Sequence, residues 1–215
     1  PKEQWTDNFM NVQYTNEQLW CYSVGNIALS NSRFYGRYGR AQCNNQNNAS
    51  GICPTQNFVD KFETAGGYPL NTPEERAAAT AAGQYDEQNP YVNRDPRFDV
   101  VVIYNQKPVQ GYGNASIYVN EDGSLPSGSL IQKRSGSEDG VSETFYYEQK
   151  RTGALSNKGV QNLLLTDPII RLAELYLNYA EAANEAYGPD GQAPGAAMTA
   201  LEALNTVRSR VGMPA

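Results

Sequence analysis

Asp167-Pro168-Ile169-Ile170-Arg171-Leu172-Ala173-Glu174-Leu175-Tyr176-Leu177-Asn178-Tyr179-Ala180-Glu181-Ala182 and, after a break, Ala203-Leu204-Asn205-Thr206-Val207-Arg208-Ser209-Arg210-Val211-Gly212-Met213-Pro214 carry the two helices against which the rest of this chain is read. Asp167 reads as an N-cap with Pro168 at the first helical position, where a missing N–H costs nothing. Leu172, Tyr176, Tyr179, Ala183 and Ala186 recur at steps of three and four as one apolar face, and Arg171, Glu174, Asn178, Glu181 and Glu185 form a polar one. Such a helix lies on a core with one edge in water. Tyr187-Gly188-Pro189-Asp190-Gly191 cannot continue it. A second helix is predicted from near Pro194, burying Ala197, Ala200, Leu201, Leu204, Val207 and Val211 and stopping at Gly212 and Pro214.

The spacing within each helix matches that of a tetratricopeptide unit, although the connection is longer. One such hairpin cannot bury its own face. Either neighbouring repeats lie outside this chain, or its non-helical part covers the hairpin. The predicted fold is therefore mostly α: a tetratricopeptide-like helical hairpin over 167–215, packed with an irregular, loop-rich region over 1–166 that contains short helices and strands, as one continuous domain.

The chain has 215 residues, enough for a substantial core. Its net charge of −6, with 19% charged residues, argues against nucleic-acid or anionic-membrane partners. Fifteen tyrosines and abundant Asn suit long, hydrogen-bonding loops. No apolar run approaches the roughly 18 residues of a membrane span.

Leu19-Trp20-Cys21-Tyr22-Ser23-Val24 is expected to be a strand. Trp20 has the flat face of a sugar platform, but a Trp inside such a run is expected in the core. From Ser30 to Cys53 little is apolar enough for a core, and a loop this long is unusual unless it has a function or is disordered. Sugar binding needs aromatic faces for the apolar side of a pyranose and planar amide or guanidinium groups for its hydroxyls. Tyr35, Arg37, Tyr38, Arg40, Asn44 and Asn45 supply those types within one segment. The plainer reading, a polar loop that only keeps the chain soluble, stands beside it. Cys43 and Cys53 bracket the Asn-rich stretch and are candidates for a disulfide in an oxidising compartment, with Cys21 as the odd thiol or an alternative partner. Metal binding by these thiols is not expected, since there is no His and no CxxC spacing.

Further along, Thr55 is expected to cap a helix to about Thr64, with Phe58, Val59 and Phe62 facing inward. Thr72-Pro73-Glu74-Glu75 is a capping box opening a surface helix that stops at Gly83. Asn93-Arg94-Asp95-Pro96-Arg97-Phe98 reads as a turn held by an ion pair of Asp95, and Phe98 to Tyr104 as a strand buried on both faces. Ser116 to Asn120, Ser129 to Arg134 and Glu143 to Lys150 are weaker strand candidates. Asn120-Glu121-Asp122-Gly123 has oxygens a calcium ion can use, but an Asp-Gly turn explains it and EF-hand spacing is lacking.

The helical stretches quoted first, preceded in order by Pro54-Thr55-Gln56-Asn57-Phe58-Val59-Asp60-Lys61-Phe62-Glu63 and by Asn93 to Phe98, resemble the SusD/RagB family. The resemblance implies a surface lipoprotein of the Bacteroidetes outer membrane that binds nutrients, mostly glycans, and hands them to a SusC-like TonB-dependent transporter. Members are considerably longer. An internal fragment is therefore expected, with the lipid anchor, the early tetratricopeptide repeats and the segment after the last helix all outside this chain. The family carries its binding aromatics in variable loops, so the resemblance assigns no ligand residue here.

No catalytic constellation emerges. The absence of His removes the commonest general base, and no carboxylate pair stands out for glycoside hydrolysis. No cofactor is expected. The readings in competition are non-catalytic glycan or peptide binding, a tetratricopeptide-type protein scaffold, and a glycoside hydrolase.

Overall fold

Two segments far apart in sequence pair first. In the computed structural model, which describes residues 15–27, 53–109, 113–127, 129–131, 142–149 and 163–215, β1 (Gln18–Ile27) runs antiparallel to β6 (Leu163–Arg171). Gln18 faces Arg171, Trp20 faces Ile170 and Ser23 faces Thr166. The expected strand at Leu19–Val24 is thus present and longer. The expected helix start at Asp167-Pro168 is not: both residues lie inside β6, opposite Tyr22 and Cys21. Leucines 163 to 165 and the β-branched pair Ile169-Ile170 favour extension on either side of them. Proline is tolerated because a two-stranded ribbon consists of edges, and the register shifts just beside Cys21. Trp20 is also a correction, being 60% exposed rather than buried.

The helix begins only after the ribbon, as α4 (Leu172–Tyr187); in chain order α1 to α3 precede it and are described below. Arg171 at its N-cap gives no side-chain cap, and Leu172 N–H instead donates to the Glu17 carbonyl at 2.8 Å. The Glu17 carboxylate accepts from Arg171 at 3.0 Å and pairs with Arg210 at 2.6 Å. It therefore ties the foot of the ribbon to both helices of the hairpin. Gly188, at φ +81°, ends α4 in a conformation that suits glycine.

The second helix of the hairpin, α5 (Ala200–Arg210), starts later than Pro194. Thr199 and Glu202 form the capping box: Glu202 N–H donates to Thr199 Oγ1 at 3.2 Å, and Thr199 N–H donates to Glu202 Oε2 at 2.8 Å. Ala173, Ala180 and Ala183 of α4 and Ala200 and Ala203 of α5 are the buried residues of the two helices, and Tyr179 Oη donates to the Met198 carbonyl. The larger apolar residues point elsewhere. Leu172, Leu175, Leu177, Leu201 and Leu204 are exposed, so the expected burial of Leu172, Leu201 and Leu204 does not occur, whereas Ala183 and Ala200 are buried as expected and Tyr176, Tyr179, Val207 and Val211 are half-buried. Ala186 and Ala197, also expected inside, are exposed as well.

The loop-rich part is held by short elements. α1 (Gln56–Asp60) is capped by Thr55 as expected, its Oγ1 accepting from Phe58 N–H at 3.2 Å, but ends well before Thr64. Val59 is buried and Phe58 exposed. α2 (Pro73–Ala81) has the expected capping box, buries only Ala79, and is followed by Gly83 at φ +67°. The expected strand from Phe98 begins instead as one helical turn, α3 (Phe98–Val101), followed by β2 (Val102–Ile103). Asp95 is the cause: its carboxylate accepts from Arg97 N–H at 2.8 Å and its carbonyl from Phe98 N–H at 2.9 Å, winding the chain into a turn that α3 continues. Burial of the segment is as expected, with Phe98, Val100, Val101, Val102 and Ile103 all inside.

β2 pairs with β5 (Tyr147–Glu148), and β3 (Pro108–Val109) with β4 (Gly113–Asn114). Residues 116–120 are not a strand, 129–131 form no strand, and the remainder of the Ser129–Arg134 candidate lies outside the described residues. Two apolar clusters result. Phe98, Val59, Val100, Val101, Val102 and Tyr146 form one; Ile103, Val109, Ala115, Ile117, Leu130 and Tyr147 form the other. The hairpin joins this body through Arg208, whose guanidinium makes two hydrogen bonds to the Glu63 carboxylate at 2.8 and 3.1 Å. Beside it Gly67 sits at φ +82°, where an added Cβ would stand 2.8 Å from Pro214.

Candidate functional site

The expected ligand residues Tyr35, Arg37, Tyr38, Arg40, Asn44 and Asn45, and the cysteine Cys43, lie outside the described residues. What is described is the ground on which that segment ends. Cys53 lies against Ser142 and Glu143; burial pushes its thiol pKa up, opposed by the hydrogen bond to Ser142. Three residues later Gln56 Oε1 accepts from Tyr146 Oη at 2.9 Å.

The turn 142–147 that receives this end is tightly wired. Ser142 Oγ donates to the Tyr146 carbonyl at 2.6 Å and accepts from Thr144 N–H at 3.2 Å, while Ser142 N–H donates to Tyr147 Oη at 3.2 Å. Tyr147 Oη in turn donates to the Leu130 carbonyl at 2.6 Å. Tyr146 and Tyr147 are both buried; Phe145 just before them is 55% exposed with φ +60°. Sequence reading does not single out Phe145. Its only signal is a run of three aromatics, Phe145-Tyr146-Tyr147, too short to show which of them is turned out.

Under this turn lies an aromatic stack. Phe98 and Tyr104 are 5.0 Å apart and nearly parallel, Tyr91 stacks on Tyr104 at 4.4 Å, and Tyr146 meets Tyr91 edge-on at 6.3 Å. Rings whose faces are taken by one another are not open to a sugar. Burial, helped by a hydrogen bond from Tyr104 Oη to Asp99 at 2.9 Å, holds the Tyr104 hydroxyl well above its ordinary pKa, and burial with Tyr91 does the same to Tyr146. These hydroxyls stay protonated and serve as hydrogen-bonding struts.

Arg94 braces the stack from below. It is buried, its guanidinium carbon lies 4.7 Å from the Phe98 ring centre, and it donates to the carbonyls of Val59, Phe62 and Pro90 at 2.7–2.8 Å. The Val59 carbonyl also accepts from Phe62 N–H at 3.2 Å, so Arg94 adds a charged donor where α1 ends and ties it to the chain just beyond. Burial lowers its pKa from the ordinary arginine value. The expected ion pair of Asp95 is with Arg97 alone, through two carboxylate oxygens at 2.5–3.0 Å.

Asn120 to Ser124 is a turn, with Gly123 at φ +80° and Asp122 accepting from Ser124 N–H at 2.9 Å. Among the described residues no three His, Cys, Asp or Glu side chains come together to hold a metal, and no helix is long and apolar enough to cross a membrane. The hairpin carries two apolar grooves. One of about 410 Å³ runs between Leu177, Leu201 and Leu204, and one of about 250 Å³ between Leu172, Leu175 and Met198.

A solved SusD-like protein from Bacteroides fragilis superposes on this fold with a TM-score of 0.61 at 20% identity over 99% of this chain. The family model described as SusD family matches residues 16–215. The chain belongs to the SusD family. It spans 40% of the length of that SusD-like protein from Bacteroides fragilis. No match was found among curated proteins.

Proposed function

We propose that this chain is the part of a cell-surface nutrient-binding protein that holds a glycan without cleaving it and passes it to a SusC-like TonB-dependent transporter in the outer membrane. The observation that carries this reading is the SusD family match across residues 16–215. In this reading the whole protein faces outward on a lipid anchor and does no chemistry on the bound sugar. The helical hairpin is of tetratricopeptide type, and the binding segment supplies Tyr35 and Tyr38 as stacking faces, with Arg37, Arg40, Asn44 and Asn45 as partners for sugar hydroxyls.

Tyr35→Ala and Tyr38→Ala test it. Each is expected to weaken retardation in a polysaccharide-containing native gel by about tenfold, the worth of one buried aromatic face, while the melting temperature moves little. Unchanged retardation in both variants removes the segment from the site.

The exposed leucines of the hairpin favour a second reading, a scaffold that docks protein on Leu172, Leu175, Leu177, Leu201 and Leu204. A scaffold of that kind is not retarded by any polysaccharide. The gel therefore separates the two.

A further inference from the structure

We propose that Phe145, in the turn that Cys53 contacts, is an aromatic platform for a glycan; this rests on the glycan-binding reading above. Its backbone is the first observation. A φ of +60° is costly for a residue with a bulky side chain, and a turn needed only to reverse the chain is served better by Gly or Asn. Strain of this sort persists where its surroundings enforce it, and here they do. Ser142 Oγ holds the Tyr146 carbonyl, Thr144 N–H is held by Ser142, and Tyr146 and Tyr147 are anchored through their hydroxyls on Gln56 and Leu130.

The second observation is what the strain achieves. In a regular strand Phe145 and Tyr147 share one face and Tyr146 the other. Here Tyr146 and Tyr147 lie in separate apolar clusters at 8% and 3% exposure, while left-handed Phe145 leaves the side of Tyr147 and stands 55% exposed. An exposed phenylalanine repays none of that cost in burial. Among the described residues its ring is in no aromatic pair with another, unlike Phe58, Phe62 and Phe98.

The third is location. Cys53, where the Ser30–Cys53 segment returns to the body, contacts Ser142 and Glu143 in the same turn. A flat, apolar, water-facing ring on a backbone held in that same turn suits the apolar face of a pyranose.

The experiment uses the full chain and native gels containing amylopectin, xylan, galactomannan, pectin or yeast mannan, each run separately. Phe145→Gly accepts φ +60° without strain, so its melting temperature is expected to equal or exceed that of the wild type. On the polysaccharide that retards the wild type, its apparent dissociation constant rises about tenfold. Phe145→Trp keeps the retardation, and Phe145→Leu, apolar but without a flat face, loses it. A wild type that is retarded together with equally retarded Phe145→Gly or Phe145→Leu variants overturns the platform and leaves the glycan reading intact. A wild type retarded by none of the five overturns both.

Discussion

Phe98→Ala is expected to lower stability by about 3–5 kcal/mol, seen as a lower urea midpoint at unchanged slope. The ring is fully buried and meets Phe62 at 5.7 Å, Tyr91 at 6.1 Å, Tyr104 at 5.0 Å and the Arg94 guanidinium at 4.7 Å. Removing it leaves a cavity that cannot collapse easily, because Arg94 is pinned by three carbonyls and Tyr104 by Asp99. A loss below about 1 kcal/mol would mean that the stack relaxes around the gap and is not the rigid platform described here.

Arg94→Met is expected to cost about 3 kcal/mol, although methionine restores most of the apolar volume. The reason is what it abandons. The carbonyls of Val59, Phe62 and Pro90 each lose a charged donor at 2.7–2.8 Å; that of Val59 keeps the Phe62 N–H at 3.2 Å, and each acceptor left without a partner costs on the order of 1 kcal/mol or more. Arg94→Lys keeps the charge but not the planar fork, so it falls between wild type and Met. Since the residues at 94 and 98 touch, the double variant Arg94→Met/Phe98→Ala is expected to lose less than the two single losses combined. Chemical denaturation of the four proteins gives the coupling directly. Strict additivity would place Arg94 outside the stack.

The helices were legible where their end signals are local. Thr55, Thr72 with Glu75, Gly83, Gly188 and Gly212 act within a few residues of themselves, and each does in the structure what its neighbours in sequence imply. Asp167-Pro168 was misleading for the same reason. Its local grammar is that of a helix start, but the partner that decides otherwise, Cys21-Tyr22, lies far back in the chain and cannot be seen from Pro168. Trp20 fails similarly: its composition fits a buried strand, whereas a ribbon two strands wide has too little depth to cover it. The strand expected at Phe98 was displaced by a single side chain, Asp95, whose hydrogen bonds wind the first turn. The leucines of the hairpin were read rightly as an apolar stripe and wrongly as its seam, because the alanines opposite allow the helices to approach more closely and leave the larger side chains outside.

For the proposed site, the sequence offers residue types in the Ser30–Cys53 segment, but not the turn against which Cys53 lies. The link from Cys53 to Ser142 and the strut from Gln56 to Tyr146 join residues about ninety positions apart, and nothing at either end announces the other. Phe145 was invisible for a different cause. Its meaning lies in a backbone angle, which no residue-by-residue pattern reports.

The most direct measurement is affinity electrophoresis of the wild-type chain through the five polysaccharides, with reducing ends assayed after prolonged incubation with each. The expected result is marked retardation by at least one polysaccharide with no reducing ends released. Free migration through all five, or steady release of reducing ends, would contradict the account.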